Sequence, residues 1–330
     1  MRKIYLDNQS TTQLDPEIMD FMIPYFLKKF GNSSSKTHSY GWEAEAAVDL
    51  SRKHISDLIN SKPNEIIFTS GATESNNIAL ASILKSKKTN FITCLTEHRA
   101  ILDICKSYEN KGIKTKYLNI SNNGNLDLDN FENNLSENVY MISLMHANNE
   151  IGTIYPIEEI GAICKKHDIL FHVDAAQSLG KIPIDVKKMN VDFMSFSSHK
   201  IYGPKGVGAL FVNNKHKNKI YPITFGGGQE NGLRPGTLPV PLIIGFGEAC
   251  KKANSVMLSE SKKIKKMRDT LLSNIKKEIP NLIINGTMEN RLHGNLNLSF
   301  PSLKGQSIVT SIPSVALSSG SACSSSISKP

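Results

Sequence analysis

The feature that most constrains the fold is a long alternation of short apolar runs with segments whose apolar residues recur at helical spacing. Short β-rich runs separated by helices favour a mostly parallel sheet that helices cover on both faces. Ligands of such sheets collect at the carboxyl ends of the strands. The pattern predicts strands at 65–69, 90–95, 139–145, 169–173, 191–197 and 207–212, with helices at 74–84, 100–111 and 157–167.

The rest of the chain predicts helices at 16–30 and 40–60, then a long lysine-rich helix at about 248–278. A strand-like run at 292–300 follows, and a weak helix at 306–312 must stop before Pro313. We therefore expect an N-terminal segment (1–14) that packs with a small domain, a large domain (15–255), and a smaller α+β domain (256–330). The boundary between the two domains lies inside the long helix.

Composition excludes several classes of protein. The chain has 39 basic and 30 acidic residues, a net charge of +9, and much of the excess lies at 251–277. Basic runs on helices are usually solvated faces, and aromatics are not interleaved here as nucleic-acid binding would require. The five cysteines form no C-x-x-C pair, so neither a disulfide framework nor a zinc site is indicated. Without a run long enough to span a membrane, we expect a cytoplasmic protein.

The strand predicted at 191–197 ends in SFSSHKIYGPKG (195–206), where apolar residues give way to small polar residues and Lys200. A buried ammonium is costly unless it is paired or neutralised, and condensation with an aldehyde neutralises it. We interpret Lys200 as a lysine that binds a cofactor covalently. A surface lysine in a glycine-rich turn is the alternative that this stretch alone leaves open.

Other strand ends carry groups that suit pyridoxal phosphate. The segment TSGATES (69–75) lies between a strand and a helix, so its N–H groups and the Thr73 hydroxyl could hold a phosphate; plain helix capping is the alternative. Asp174 ends an apolar strand, where a pyridinium nitrogen would supply the cation that a lone carboxylate needs; an N-cap is the alternative. Gln177 could reach the ring hydroxyl.

Three further segments add polar groups at strand ends or in flexible loops. His98 follows a strand and could stack on a flat ring, although a lone histidine is more often structural. Asn149 lies at another strand end, and 226–237 is a glycine-rich loop that carries Arg234 and Thr237.

Together these residues resemble the cysteine desulfurases, which are class V members of the fold-type-I pyridoxal-phosphate enzymes. The resemblance covers almost the whole chain and implies a seven-stranded-type sheet. The motifs that carry it are YLD (5–7), FGN (30–32), SGATESNN (70–77), TEHRAIL (96–102), MHANNEIG (145–152), HVDAAQSLG (172–180), SFSSHKIYGPKGVGAL (195–210), GGGQENGLRPGTLP (226–239) and SSGSACSS (318–325).

The resemblance implies a role for each matching residue. Lys200 would link to pyridoxal 5'-phosphate and later move protons at the substrate, while His98 would stack on the ring and assist. Thr237 would reach the phosphate of the neighbouring subunit, which makes a homodimer part of the site. The other implied cofactor contacts are the phosphate ligands Ala72, Thr73, Ser197 and His199, the ring-nitrogen partner Asp174, the ring-oxygen partner Gln177, and Asn149 beside the ring.

Cys323 would be the nucleophile that takes sulfur from L-cysteine as a persulfide and releases L-alanine. A thiolate is a strong nucleophile near neutral pH, and the glycine and serine neighbours of Cys323 allow its loop to swing. The implied acceptor is an iron–sulfur scaffold protein or a tRNA-thiolation protein, with Cys323 as a transient iron–sulfur ligand. Cys94, Cys105, Cys164 and Cys250 fall in strand or helix patterns and are interpreted as packing residues.

In the family the small domain continues past this cysteine loop and carries the arginine for the substrate carboxylate. The resemblance therefore implies a shortened small domain here, with the cysteine on a tail. Two alternatives stay open, a selenocysteine lyase or class V aminotransferase on the same scaffold, and a homologue that binds cofactor but is catalytically impaired.

Overall fold

A computed structural model describes residues 3–320, except for the side chain of residue 129. The α-helices are α1 (Pro16–Leu27), α2 (Ser39–Leu58), α3 (Ala72–Leu80), α4 (Arg99–Glu109), α5 (Leu128–Asn133), α6 (Ile157–Lys166), α7 (Val240–Glu278) and α8 (Gly305–Ser311). The strands are β1 (Ile4–Tyr5), β2 (Ile66–Thr69), β3 (Asn90–Cys94), β4 (Lys114–Leu118), β5 (Val139–Met145), β6 (Leu170–Asp174), β7 (Phe193–Ser197), β8 (Gly208–Val212), β9 (Ile283–Ile284), β10 (Leu298–Ser299) and β11 (Val315–Ala316).

A seven-stranded sheet organises the large part of the molecule, in the order β2-β8-β7-β6-β5-β3-β4. All neighbours are parallel except β8, which runs antiparallel to both β2 and β7. The prediction of a mostly parallel sheet covered by helices is confirmed. Two small pairings lie outside this sheet, β1 with β11 in parallel and β9 with β10 antiparallel.

Apolar side chains pack on both faces of the sheet, as its near-continuous hydrophobic strands require. One face carries the larger core, in which α1, α2, α6 and α7 contribute residues such as Met22, Ile55 and Phe246. The other face carries a smaller core formed with α3 and α4. Within residues 3–320, no helix has both the length and the apolar character needed to cross a membrane.

Several boundaries differ from the prediction, each for a local reason. Strand β4 was not predicted because it is an edge strand with the polar sequence KTKYL, of which only Leu118 is buried. Helix α7 begins at Val240, whereas the prediction placed its start near 248. The predicted start is too late because Gly245 and Gly247 weaken the helical pattern of the first turns. One of these, Gly247, permits close helix packing, because a Cβ there would lie 2.6 Å from the Ser51 Cα.

One strand predicted near the C-terminal end of the chain is much shorter in the structure. The strand expected at 292–300 is reduced to Leu298–Ser299, and side-chain hydrogen bonds hold the preceding loop instead. Arg291 donates to Asn295 Oδ1 at 3.0 Å and to the Thr287 carbonyl at 2.8 Å. The weak helix ends at Ser311, before Pro313, as expected.

Replacing Phe246 by Ala should lower the free energy of unfolding by about 3–5 kcal/mol, because this fully buried ring joins α7 to the larger core. Urea denaturation followed by circular dichroism measures the change. The matched control is Met267→Ala on the same helix, where the side chain is 62% exposed and the change should stay within about 0.5 kcal/mol. Equal effects of the two changes would contradict the packing described here.

Candidate active site

The candidate site lies where the parallel strands end. Strand pairing places Gly208 between Thr69 and Ser197, and it places Asp174 between Met145 and Ser195. The sequence predicted polar residues at these strand ends, and the register of the sheet brings them to one edge.

Lys200 lies in a single 3₁₀ turn, Ser198–Lys200, directly after β7. Its Nζ donates to the Gln9 carbonyl and, at 2.7 Å, to the Ser10 carbonyl. The N-terminal segment is held to the same turn, because the Thr12 N–H and hydroxyl both donate to the His199 carbonyl at 2.9 and 3.0 Å. The Lys200 amine is thus placed by the backbone of residues 9–12.

The N-terminus of α3 lies beside this turn and forms a cradle whose free N–H groups are chemically suited to an anion. Gly71 occupies the N-cap position and has no side chain to accept from the first helical N–H groups, which begin at Ala72 and Thr73. A Cβ on Gly208 would lie 2.6 Å from the Gly71 Cα, so only glycine lets β8 approach the cradle this closely. Ser197 lies next to it, with its Oγ 3.8 Å from where a Gly71 Cβ would be.

Asp174 is a carboxylate that is only 7% exposed. Its Oδ2 accepts from Asn76 Nδ2 at 2.8 Å, and its Oδ1 accepts from the Ala176 N–H at 3.0 Å. Within the described residues no lysine, arginine or histidine forms an ion pair with it. A buried carboxylate with neutral donors only is chemically suited to a cationic ligand atom, such as a protonated ring nitrogen.

Glu97 is a second buried carboxyl group beside Asp174. Its Oε1 accepts from the Met145 N–H at 2.6 Å, while its Oε2 is buried without a hydrogen-bond partner among the described residues. Burial raises the pKa of Glu97 well above its ordinary value, and the nearby charge of Asp174 raises it further. Both effects favour the protonated form of Glu97.

Positive charge collects around the Lys200 turn. Burial lowers the pKa of His199 to about 4, and Lys200, Lys205 and Lys181 lower it in the same direction. The His199 Nδ1 lies 3.0 Å from the Thr11 hydroxyl. The three lysines that act on His199 make the surroundings of this turn electropositive, which suits a phosphate group.

His98 and Asn149 lie at the ends of β3 and β5. His98 is the N-cap of α4, and its Nδ1 accepts from the Ala100 N–H at 3.1 Å. Asn149 is half-buried in the turn after β5, next to Asn148, whose Oδ1 accepts from the Glu150 and Ile151 N–H groups. The capping bond of His98 uses one ring nitrogen in the plane of the ring and leaves the ring face available. Stacking of His98 on a cofactor ring stays a prediction.

Two partly buried ion pairs tie the 226–239 loop to α2 and α3. Arg234 Nε donates to Glu74 Oε1 at 2.8 Å, which fixes the loop to the first turn of α3. Arg52 donates to both carboxylate oxygens of Glu230 at 2.9 and 2.8 Å. Thr237 follows this part of the loop and is exposed, as a residue that serves a neighbouring subunit would be.

The structure thus gathers most of the predicted residues at one edge of the sheet, while their roles remain predictions. Cys323, predicted as nucleophile and as iron–sulfur ligand, lies outside the described residues. The other cysteines are buried, and burial raises the pKa of each thiol, to about 12 for Cys105. Residues 3–320 contain no cluster of histidine, cysteine or acidic side chains that could hold a metal.

Sequence reasoning missed Asn76, Glu97 and Gln9. Asn76 is fully buried on α3 and donates a hydrogen bond to Asp174. Its place in the polar first turns of α3, four residues after Ala72, is the one sequence signal for this role. Glu97 stands beside the predicted His98 but gave no separate signal, since its role depends on burial. Gln9 contributes a backbone carbonyl, which carries no sequence signal at all.

Comparison with known proteins gives consistent matches. The family model "Aminotransferase class-V" matches residues 4–330. "Cysteine desulfurase IscS" of Ehrlichia chaffeensis is 48% identical over 331 aligned positions, which cover 99% of this chain and 80% of that protein.

Solved structures agree with the sequence matches. A NifS-like protein superposes with a TM-score of 0.90 at 37% identity, covering 94% of this chain and 85% of its own. A structure described as SspA in complex with cysteine superposes with a TM-score of 0.85 at 35% identity, covering 98% and 91%.

The ion pair between Glu74 and Arg234 yields a stability prediction. Although burial raises it, hydrogen bonds from Arg234 and from the Ser70 N–H bring the pKa of Glu74 below its ordinary value. Arg234→Gln should therefore lower the free energy of unfolding at pH 7 by about 1–3 kcal/mol. Because a lowered carboxyl pKa contributes stability only while the group is ionised, the difference should shrink below about pH 4.

Urea denaturation at pH 7 and at lower pH measures this difference. The control is Lys36→Gln, which breaks an ion pair with Glu45 whose side chains are 65% and 39% exposed. That change should cost less than about 0.5 kcal/mol at either pH. A pH-independent effect of Arg234→Gln would show that packing, not the charge on Glu74, carries the contribution.

Proposed function

The chain belongs to the class-V aminotransferase family and, within it, to the cysteine desulfurases, and from this premise we propose which of its residues carry the reaction. The substrate is L-cysteine and the products are L-alanine and a persulfide on Cys323. One observation supports this assignment above the others. Lys200, the buried Asp174 carboxylate and the uncapped start of α3 meet at one edge of the sheet.

The residues present fit pyridoxal 5'-phosphate. The N–H groups of Ala72 and Thr73 and the side chains of Ser197 and His199 would hold the phosphate, and Asp174 would pair with the ring nitrogen. Gln177, Asn149 and His98 would contact the ring. When bound, this cofactor would supply a reactive carbonyl group and an electron-withdrawing ring, which activate the carbons of an attached amino acid.

Each protein group then has a definite task. Asp174 would face the ring nitrogen, and its hydrogen bonds from Asn76 and the Ala176 N–H fix the position of its carboxyl group. Lys200 would accept and return protons at the substrate carbons, because it lies in the turn after β7, the strand that pairs with β6 and its terminal Asp174. Asn76 is a positioning residue, since it acts only through Asp174.

The sulfur transfer balances without an outside oxidant. The Cys323 thiolate attacks the sulfur of the substrate, a new S–S bond forms, and the bond between that sulfur and the substrate β-carbon breaks. The electron pair of the broken bond stays on carbon and is protonated, which yields alanine. The protein keeps the sulfur as a persulfide, which an acceptor protein later removes.

The physiological acceptor is proposed to be an iron–sulfur scaffold protein or a tRNA-thiolation protein, and the site of action the cytoplasm. L-cysteine as substrate is supported by the family and by the similar SspA structure, which is described as a complex with cysteine. The lone remaining cysteine outside the buried set, Cys323, supports sulfur transfer over transamination, which requires no thiol.

A homodimer is proposed as the working unit. Large apolar side chains are exposed at the end of α1 and the start of α2, among them Phe26 at 54%, Phe30 at 67% and Trp42 at 56%. The Phe30 and Tyr40 rings lie 5.4 Å apart and form part of this surface. An apolar surface of this kind suits contact with a second copy of the chain, whose Thr237 would complete the phosphate site.

Cys323→Ser should abolish sulfide release from L-cysteine with dithiothreitol, while pyridoxal 5'-phosphate still binds, because only the nucleophile is lost. Alanine and sulfide are measured for the wild type and the variant, and mass spectrometry locates the persulfide in the wild type. The four buried cysteines serve as internal controls and should stay unmodified, since their raised pKa values leave little thiolate. Keto-acid formation that survives Cys323→Ser would instead identify an aminotransferase.

The role of Thr237 across the dimer can be tested by mixing two variants. Lys200→Ala removes the cofactor lysine, and Thr237→Val should weaken cofactor affinity about tenfold by removing one charge-assisted hydrogen bond. If Thr237 acts across the interface, a mixed dimer contains one site with both residues intact, and this site should bind with wild-type affinity. Fluorescence titration measures binding.

The unmixed variants are the controls for this experiment. Recovery of tight binding in up to half of the sites of the mixed dimer supports a shared site. Absence of tight sites in mixed dimers of verified composition would mean that Thr237 acts within its own chain.

A further inference from the structure

Lys181 is a partly buried lysine that the roles assigned above do not use. It lies at the end of a turn that follows β6, in which the Ser178 and Leu179 N–H groups donate to the Ala175 carbonyl. Gly180 has a φ of 66°, the left-handed conformation that glycine adopts most readily, and thereby sets the direction of the chain at Lys181. The turn brings Lys181 back to Gln177, four residues earlier.

A chain of hydrogen bonds connects Lys181 to the Lys200 amine. Lys181 Nζ donates to Gln177 Oε1 at 3.2 Å, and Gln177 Nε2 donates to the Gln9 carbonyl at 2.8 Å. The same Gln9 carbonyl also accepts from Lys200 Nζ. Lys200 and the Gln177 amide therefore share one carbonyl acceptor, and Lys181 is connected to it through Gln177.

These partners determine which way the Gln177 amide points. A charged lysine amine has donors but no acceptor, so the Gln177 atom that faces Lys181 must be the amide oxygen. A carbonyl can only accept, so the atom facing Gln9 must be the amide nitrogen. Without Lys181, Gln177 Oε1 would lose its cationic donor, and only the bond to the Gln9 carbonyl would oppose rotation of the Gln177 amide.

We propose that Lys181 is a positioning residue that holds the Gln177 amide with its N–H group turned toward the Lys200 side of the site. The inference rests on the proposed function, in which Gln177 meets the ring oxygen of pyridoxal 5'-phosphate. With the amide held this way, Gln177 presents a donor to that oxygen; with the amide reversed, it would present an acceptor and repel it.

The charges around Lys181 fit this role. Burial, together with the charge of Lys200, lowers the pKa of Lys181 to about 7. The other titratable groups that couple to this cluster are His199 and Lys205, while α7 contributes the neutral Ser261, whose hydroxyl donates to the Lys181 carbonyl. Among the described residues no carboxylate pairs with Lys181, so bound anionic cofactor would favour its charged, donating form.

The test uses Lys181→Met in the holoenzyme and follows the visible absorption band of the bound cofactor as the pH is varied. A donor to the ring oxygen stabilises its negative charge, so the linked Lys200 nitrogen loses its proton at lower pH. Lys181→Met should therefore raise the pH midpoint of the band by about one unit. Lys181→Arg, which keeps a charged donor, should restore the wild-type midpoint to within about 0.3 unit.

A second background separates positioning from a direct effect of charge. In Gln177→Leu enzyme, Lys181→Met should shift the midpoint by less than half as much as in the wild type, because the amide through which Lys181 acts is gone. Equal shifts in both backgrounds, or none in either, would overturn the proposal. Circular dichroism verifies folding, and Lys181→Leu replaces Lys181→Met if the latter is unfolded.

The wild-type titration separates this inference from the function on which it rests. Wild-type protein that binds no pyridoxal 5'-phosphate would refute the proposed function itself. Wild-type protein with a titrating visible band, together with an unshifted Lys181→Met variant, would refute only the role of Lys181.

Discussion

The buried carboxylate of Asp174 is the interaction on which the arrangement of the site depends. A charge at the end of a strand flanked by apolar neighbours is costly unless donors surround it, and here Asn76 and the Ala176 N–H supply them. Burial also raises the pKa of the neighbouring Glu97 well above its ordinary value, and Asp174 raises it in the same direction, so the protonated form of Glu97 is favoured beside Asp174.

The sequence predicts features that depend on neighbouring residues, and it fails where a feature depends on contacts between residues far apart in the chain. Apolar periodicity predicts β6 and β7 well, because burial on both faces leaves few polar interruptions. The same periodicity says little about β4, an edge strand whose alternation of exposed and half-buried residues resembles a loop. Lys200, Asp174 and the start of α3 are candidate site residues because their chemistry is unusual at strand ends, and their roles stay predictions.

Other parts of the site depend on contacts between residues far apart in sequence, and composition holds no trace of them. Glu230 adopts a φ of 49°, and its carboxylate accepts from both Arg52 and the Phe68 N–H, so a strained loop residue becomes part of the core. The carbonyls of Gln9 and Ser10 meet Lys200 through the path of the backbone alone. Backbone contacts of this kind cannot be predicted from the sequence, because any residue type supplies a carbonyl oxygen.

The pairing of β1 with β11 also bears on how the molecule is made. Ile4 pairs with Val315, and the Ser318 hydroxyl donates to Asp7 across 311 positions of sequence. Contacts of such separation form late in folding, because the entropy of closing a long loop must be offset by structure already in place. On the ribosome, β1 cannot pair until β11 has emerged. β1 is therefore synthesised long before it can reach its final position, whereas residues 9–12 need only residues 199–202 to make their contacts with the Lys200 turn.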